Sequence, residues 1–117
     1  MNVAINQITH EVGETVTWAV SSSDFDLSGA TVTSDLKKAI NGSQVPNGNA
    51  AVILSLTPAY VVAVGEVAAH WRFEITAAQT AALPSGNYIS DARFVMGGKV
   101  YVSPAIRITL QDAVTAP

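Results

Sequence analysis

Apolar and polar residues alternate with a period of two along several short stretches, and this pattern constrains the fold more than any other feature. In ETVTWAV, residues 14–20, the side chains of Val16, Trp18 and Val20 fall on one face. The stretch AHWRFEIT, residues 69–76, repeats the alternation with its two aromatic residues on the apolar face. Successive side chains of a β-strand point to opposite faces, so both stretches predict half-buried strands, with Trp18 in the core.

Turn-forming residues separate these stretches and divide the chain into short strands. The predicted strands are residues 2–9, 14–21, 30–38, 50–56, 60–64, 69–76, 87–96 and 99–110. We expect the last of them to be interrupted at Pro104, because proline lacks the donor that a ladder requires. Only TAAQTAAL, residues 76–83, has helical composition, as one turn crossing between two sheets. The prediction is all-β: a single domain, residues 1–117, folded as an immunoglobulin-like antiparallel β-sandwich of seven to eight strands with no disulfide.

The composition excludes several classes of function. Charged residues make up 13% of the chain and the net charge is −3, with only six scattered basic residues, which argues against nucleic-acid binding. There is no cysteine, which removes thiol catalysis and cysteine-based metal sites and fits a reducing compartment. The longest apolar run, residues 59–65, is too short to span a bilayer, so we expect no membrane segment. The N-terminus has no signal-peptide pattern and is interpreted as mature structure.

A Gly-Gly pair predicts a tight hairpin near the C-terminus. Gly97 and Gly98 supply the positive φ that both central positions of a two-residue turn require. Such a turn sets the register of the flanking strands. The expected cross-strand pairs are Val95 with Val100 and Phe94 with Tyr101.

Upstream of the hairpin, the stretch LPSGNYISD has the spacing of a structural corner. Leu83, Gly86 and Tyr88 match the corner at which an immunoglobulin-like sandwich passes between its sheets, where a tyrosine bonds back to the backbone. We therefore predict that the Tyr88 hydroxyl reaches the backbone of residues 83–85. Ser90 stands where antibody domains have a cysteine, so packing alone is expected to hold the sheets together.

The order of these motifs resembles a known group of domains. FDLSGATV (residues 25–32), then LPSGNYISD (83–91), a Gly-rich hairpin and a closing strand ending in DAVT (112–115) are similar to the small immunoglobulin-like domains of tailed-phage virion proteins. The nearest family is the N-terminal domain of phage baseplate upper proteins. The resemblance implies a non-catalytic virion structural protein, such as a capsid decoration protein or a tail or baseplate accessory subunit. Its partners would be phage capsid or tail proteins, in a virion assembled in the host cytoplasm. An alternative is a surface-displayed module that binds a host glycan or protein.

One segment and one charged residue are candidates for a subunit interface. In TPAYVVAVGEVAA, residues 57–69, both faces of a strand would be apolar, and large bare apolar patches are rare on monomers. The candidate residues there are Tyr60, Val61, Val62 and Val64. On the outer face of the hairpin strands, Arg93 serves either solvent or a neighbouring subunit. We expect a homo-oligomer.

Candidate chemistry is weak throughout the chain. The Asp-Phe-Asp triplet at residues 24–26 lacks the further acidic positions of a calcium loop, and a turn that caps its own backbone is the better interpretation. His10 and His70 have no ligand-spaced partner, and no GxSxG motif marks a hydrolase. Asn41-Gly42-Ser43 fits a glycosylation acceptor but is interpreted as a turn. We expect no enzyme activity, no catalytic residue, no metal and no cofactor.

Overall fold

The fold is an immunoglobulin-like β-sandwich. The computed structural model describes residues 2–3, 6–22, 26–39 and 52–112. Within them lie ten strands and one helix: β1 (Asn2–Val3), β2 (Gln7–Glu11), β3 (Val16–Ser21), β4 (Thr31–Lys38), β5 (Val52–Leu56), β6 (Ala59–Val61), β7 (His70–Ile75), α1 (Ala77–Ala81), β8 (Gly86–Met96), β9 (Lys99–Val102) and β10 (Ile106–Gln111). The predicted all-β class is confirmed.

The strands form two sheets that pack face to face. The first sheet has the order β1-β3-β7-β6, and the second has the order β2-β10-β8-β4-β5. β9 also pairs with β8, on the same side as β10, so β9 and β10 lie end to end along β8. These orders match the two sheets of an immunoglobulin-like sandwich in which the central three strands of the second sheet, β4, β8 and β10, have one further strand on each side, β5 and β2.

The predicted sandwich was purely antiparallel, and one pair departs from that. β2 runs parallel to β10, with Gln7 opposite Arg107 and Glu11 opposite Gln111. The departure arises because the predicted first strand, residues 2–9, divides into β1 in the first sheet and β2 in the second. The division also raises the strand count, as does the break between β9 and β10 at residues 103–105, where an interruption at Pro104 was expected.

The core lies between the sheets and contains the residues that the alternation predicted. Val16, Trp18 and Val20 on β3 are all buried, and the Trp18 ring stacks on Phe73 of β7 at a centroid distance of 5.5 Å. From the second sheet, Phe94 packs against the core, edge-on to Trp71 at 6.4 Å. Aromatic pairs in these arrangements add about 0.5–1.5 kcal/mol beyond their area burial.

The helix α1 carries the chain from one sheet to the other, as its composition predicted. Thr76 caps it: the Thr76 hydroxyl accepts a bond from Gln79 N, and the Gln79 side chain accepts one from Thr76 N. The buried Thr80 hydroxyl donates to Glu14 O at 2.7 Å and accepts from Gly13 N at 3.1 Å. These bonds attach the crossing to the turn that precedes β3.

The strand predicted at residues 60–64 was too long. β6 ends at Val61, and the chain then reverses in a tight turn closed by a Val64–Val67 bridge. Gly65 has φ +57° at this turn, in a region that favours glycine. Odd-numbered and even-numbered residues of this segment are both apolar, because much of it is a turn outside the sheets, where the alternation of a strand does not apply.

Candidate functional site

The hairpin between β8 and β9 has the predicted geometry. Gly97 and Gly98 have φ values of 55° and 79°, which suit a two-residue turn of the type that matches strand twist. The predicted register is confirmed: Val95 lies opposite Val100 and Phe94 lies opposite Tyr101.

The corner before β8 also has the predicted hydrogen bond. The Tyr88 hydroxyl donates to Pro84 O at 2.6 Å, and the side chain is almost completely buried. Burial raises the pKa of the Tyr88 hydroxyl, which keeps it protonated as a donor. Gly86 has φ +151°, a conformation that other residues rarely adopt, and Leu83 packs against the core. Both motifs therefore act as structural anchors of β8.

Buried serine hydroxyls bind the second sheet together, and little in the sequence pattern indicated them. The Ser90 hydroxyl donates to Asp35 O at 2.9 Å, and the Ser34 hydroxyl donates to Asp91 O at 2.6 Å. The two hydroxyls lie 3.1 Å apart. Ser90, at the position of the antibody cysteine, thus bonds within its own sheet across β8 and β4.

A third serine bridges the break between β9 and β10. Ser103 N donates to Ala92 O at 2.8 Å, and the Ser103 hydroxyl accepts from Ala92 N at 2.9 Å. The side chain therefore replaces the carbonyl that a regular strand would offer at this point. The end of β8 stays paired although β9 and β10 are discontinuous.

The outer face of the hairpin carries three exposed valines, which we call the valine edge: Val95, Val100 and Val102. They are between 38% and 56% exposed. Val95 lies directly opposite Val100, and Val102 lies opposite Arg93, which is itself exposed. The valine edge is thus a continuous aliphatic strip at one margin of the second sheet.

A second group of exposed valines, which we call the valine turn, lies on the turn after β6. Its members Val62, Val64 and Val67 are 64%, 66% and 58% exposed. The Glu66 carboxylate is the only charge between Val62 and Val67.

The predicted interface residues do not form one surface. Val62 and Val64 are exposed in the valine turn, whereas Val61 is half-buried and Tyr60 packs edge-on against Trp71 at 5.5 Å. Arg93 lies on the outer face of the other sheet, beside the valine edge. The structure therefore separates the predicted set into two regions.

The outer face of the second sheet contains two opposed carboxylates. Asp35 on β4 lies directly opposite Asp91 on β8, and the Asp35 carboxylate accepts a bond from the Ser55 hydroxyl at 3.1 Å. Burial raises the pKa of Asp91, and the Asp35 charge adds to the rise while Lys37 opposes it. Like charges directly opposite one another in a sheet are destabilising.

A cleft of about 290 Å³ lies between β5 and β7 beside α1. The charged groups on its wall, Arg72 and Glu74, form an ion pair with an N–O distance of 3.0 Å. The Gln79 side chain, also on the wall, accepts the capping bond from Thr76 N. Because these polar groups already bond to one another, the cleft offers a ligand few groups that lack a partner.

The residues considered for metal binding and glycosylation are the acidic triplet at residues 24–26, the two histidines and the Asn41-Gly42-Ser43 acceptor. The Asp26 carboxylate accepts a bond from Ser28 N at 2.8 Å, and this bond lowers the pKa of Asp26, as in a turn that caps itself. Residues 24–25 of that triplet and the Asn41-Gly42-Ser43 acceptor lie outside the described residues. His10 Nδ1 lies 3.5 Å from the Glu14 carboxylate, and His70 Nδ1 lies 2.9 Å from Ala68 O. In the part of the chain that the structure describes, no three His, Asp or Glu side chains are grouped to hold a metal ion.

No helix among the described residues is long and apolar enough to cross a bilayer. Comparison with protein-family models finds none that matches the chain, and a search of curated proteins also finds no match.

Proposed function

We propose that this chain is a non-catalytic structural protein that attaches to a larger assembly through its exposed valines. The observation that carries the proposal is that six of the eight large hydrophobic side chains exposed among the described residues lie at two places, the valine edge and the valine turn. Contiguous exposed apolar groups on a soluble domain are typical of protein–protein contact sites.

The low charge of the chain supports the same proposal. Charged residues are 13% of the sequence, about half the usual share in soluble domains. The cores of protein interfaces are depleted in charged residues, so a domain with much of its surface covered by neighbours needs fewer of them.

The specific assembly that we propose is the virion of a tailed bacteriophage, with the chain as a capsid decoration protein or a tail or baseplate accessory subunit. The support is the resemblance in motif order around the corner at Tyr88 and the Gly97-Gly98 hairpin. In that role the partners are capsid or tail proteins and further copies of the chain. The function is mechanical: buried apolar area and added strand pairing reinforce the joints between subunits.

Purified particles test this proposal directly. Particles from the source that encodes the chain are purified and analysed by mass spectrometry for the protein, and recombinant protein is then cosedimented with particles that lack it. We expect the chain to be present in purified particles and to bind particles that lack it. Its absence from particles, together with failure to cosediment, would contradict the proposal.

Two variants locate the contact. Replacing Val62 and Val64 together by serine removes most of the valine turn, and Val52→Ser on β5 is a matched control, because Val52 is 49% exposed but lies elsewhere. Loss of particle binding in the double variant but not in the control would place the contact at the valine turn. A specific signal on a glycan array, without particle binding, would instead favour the surface-displayed binding module.

A further inference from the structure

The outer edge of β9 is an open strand edge. β9 pairs with β8 on one side, and no described strand pairs with its other side. Hydrogen-bonded and non-hydrogen-bonded pairs alternate along an antiparallel ladder, and Ser103 N donates to Ala92 O. Ser103 and Ala92 are therefore a hydrogen-bonded pair, and so are Tyr101 and Phe94, two positions earlier. The N–H and C=O groups of Val100 and Val102, at the alternate positions, point away from β8 to the outer edge.

We propose that two copies of this chain pair through the outer edges of β9, antiparallel, about a two-fold axis at Tyr101. In this register Val100 lies opposite Val102 of the partner subunit, and the reciprocal pair repeats it across the axis. The two pairs supply four backbone hydrogen bonds. Such a contact is isologous, with the same residues on both sides.

The neighbours of β9 select this register. A shift of one residue toward the C-terminus would place Val100 opposite Pro104 of the partner subunit, which has no N–H to donate. A shift in the other direction would place Val102 opposite Gly98 of the partner subunit, inside the turn. Only in the central register do Val100 and Val102 both lie opposite residues of β9 in the partner subunit.

Charge and side-chain chemistry are compatible with a second copy. Lys99 is the only charged residue between residues 99 and 103, and it lies opposite Ser103 of the partner subunit, so no like charges meet. The valine edges of the two copies join into one aliphatic strip across the axis. Aliphatic side chains on neighbouring strands stabilise each other on a common face.

The other sheet edges are less suitable for self-pairing. β1 and β6 are only two and three residues long, and the β4–β5 ladder is irregular between Leu36 and Lys37. β2 carries exposed polar residues and the charged Glu11. Short, irregular or charged edges are the devices by which proteins avoid pairing with other chains.

The contact is small, which sets the expected affinity. A four-residue strand pair buries less than the roughly 1,200 Å² of a standard interface, so the isolated dimer is weak, with a Kd of roughly 10 µM to 1 mM. In an assembly with many copies, effective concentration would strengthen it. The inference deepens the multimeric part of the proposed function and rests on that part alone.

Cysteine cross-linking tests the pairing, because the natural chain has no cysteine. Tyr101 of both copies would form a non-hydrogen-bonded pair with a Cα–Cα distance of about 4.5 Å, within disulfide range. We expect Tyr101→Cys to form disulfide-linked dimers several-fold faster than Val52→Cys, an exposed control on β5 outside both valine groups. Adding Val102→Pro, which removes one outward N–H, should reduce the rate to that of the control. Equal rates for the two single variants would overturn the proposal.

A second measurement keeps the test decisive where Tyr101→Cys folds poorly. Sedimentation velocity of the unmodified chain should show mass rising with concentration, and Val102→Lys should abolish the rise while Val52→Lys, at an exposed position on β5, keeps it. Persistence of the rise in Val102→Lys would contradict strand pairing. Binding to particles without self-association would overturn only the strand pairing. Self-association without binding to particles would overturn only the proposed role in the virion.

Discussion

The outward face of β8 differs sharply between the two halves of the strand. Ile89 and Val95 point to the same side, away from the core, yet Ile89 is 2% exposed and Val95 is 38% exposed. Ile89 lies between Lys37 on β4 and Arg107 on β10, whose long stems can cover it. Val95 lies between Thr31 and Val100, a short residue and a residue of the edge strand β9. Burial of an outward residue is thus determined by what stands on either side of it.

The comparison separates two roles within one strand. The first half of β8, with the corner at Tyr88, lies inside the sheet and contributes to stability on both faces. The second half contributes on its inward face through Phe94, while its outward side chains Arg93 and Val95 remain exposed. Substitutions on the outward face should therefore lower the free energy of unfolding in the first half and change it little in the second.

The largest expected effect is the difference in free energy of unfolding between two alanine substitutions on the outward face of β8. Ile89→Ala should lower the free energy of unfolding by about 2–5 kcal/mol, because it removes a buried aliphatic side chain. Val95→Ala should change the free energy of unfolding by less than about 0.5 kcal/mol, as surface substitutions do. Urea unfolding of both variants measures the difference. Equal losses would show that the two halves do not differ as described.

The junction between the halves is tested at Ser103. Ser103→Ala removes the acceptor of Ala92 N and leaves a buried donor without a partner, so we expect a loss of about 1–3 kcal/mol. Hydrogen exchange at the Ala92 amide should accelerate strongly, whereas the amides of the first half should change less. Ser85→Ala, at an exposed position before β8, is the control. A protected Ala92 amide in the variant would contradict this account of the junction.

The corner is tested by removing one oxygen atom. Tyr88→Phe keeps the ring in the core but loses the bond to Pro84 O, and the expected loss is about 0.5–1.5 kcal/mol. Tyr101→Phe on β9, opposite Phe94 of the second half, serves as the comparison for a tyrosine that is only partly buried. Thermal unfolding measures the stability of both variants. A Tyr88→Phe variant as stable as the unmodified chain would show that the corner bond does not stabilise the fold.

The smallest expected effect is the pH dependence at Asp91, where the two halves meet. Burial raises its pKa in the folded state above the ordinary aspartate value of 3.8, so the folded state binds the proton more tightly. The contribution of this proton binding to the free energy of unfolding is fully present below pH 3.8 and is lost as the pH rises through the raised pKa of the folded state. Asp91→Asn removes this dependence, and we expect it to be the more stable protein at pH 7 by about 0.5 kcal/mol at most, since the group is partly solvated.

Asp26→Asn is the control of opposite sign for that experiment. A hydrogen bond from Ser28 N lowers the Asp26 pKa, so its stability is present above pH 3.8 and is lost as the pH falls through the lowered value. Urea unfolding across the acidic range should therefore show stability differences that change with pH in opposite directions for the two variants. Parallel pH profiles would contradict the assignment at Asp91.

Local signals predicted the anchors of the fold. The period-two alternation identified the inward faces of β3 and β7, the Gly97-Gly98 pair set the hairpin register, and the spacing from Leu83 to Tyr88 predicted the corner bond. Each of these signals depends on residues within about ten positions of one another. Strand pleat and turn geometry act over the same distance, which is why the sequence was sufficient for them.

Contacts between distant segments decided the rest. The partners of the Ser90 and Ser34 hydroxyls are more than 50 positions away, and the parallel pairing of β2 with β10 joins the two ends of the domain. Among the described strands, β2 pairs with β10 and does not extend along β9, and this is why the exposed valines of β9 lie at an open edge. By itself the sequence determined which side chains could face the core. The tertiary structure decided which outward side chains are covered, because burial on that face depends on neighbours that only the folded sheet brings together.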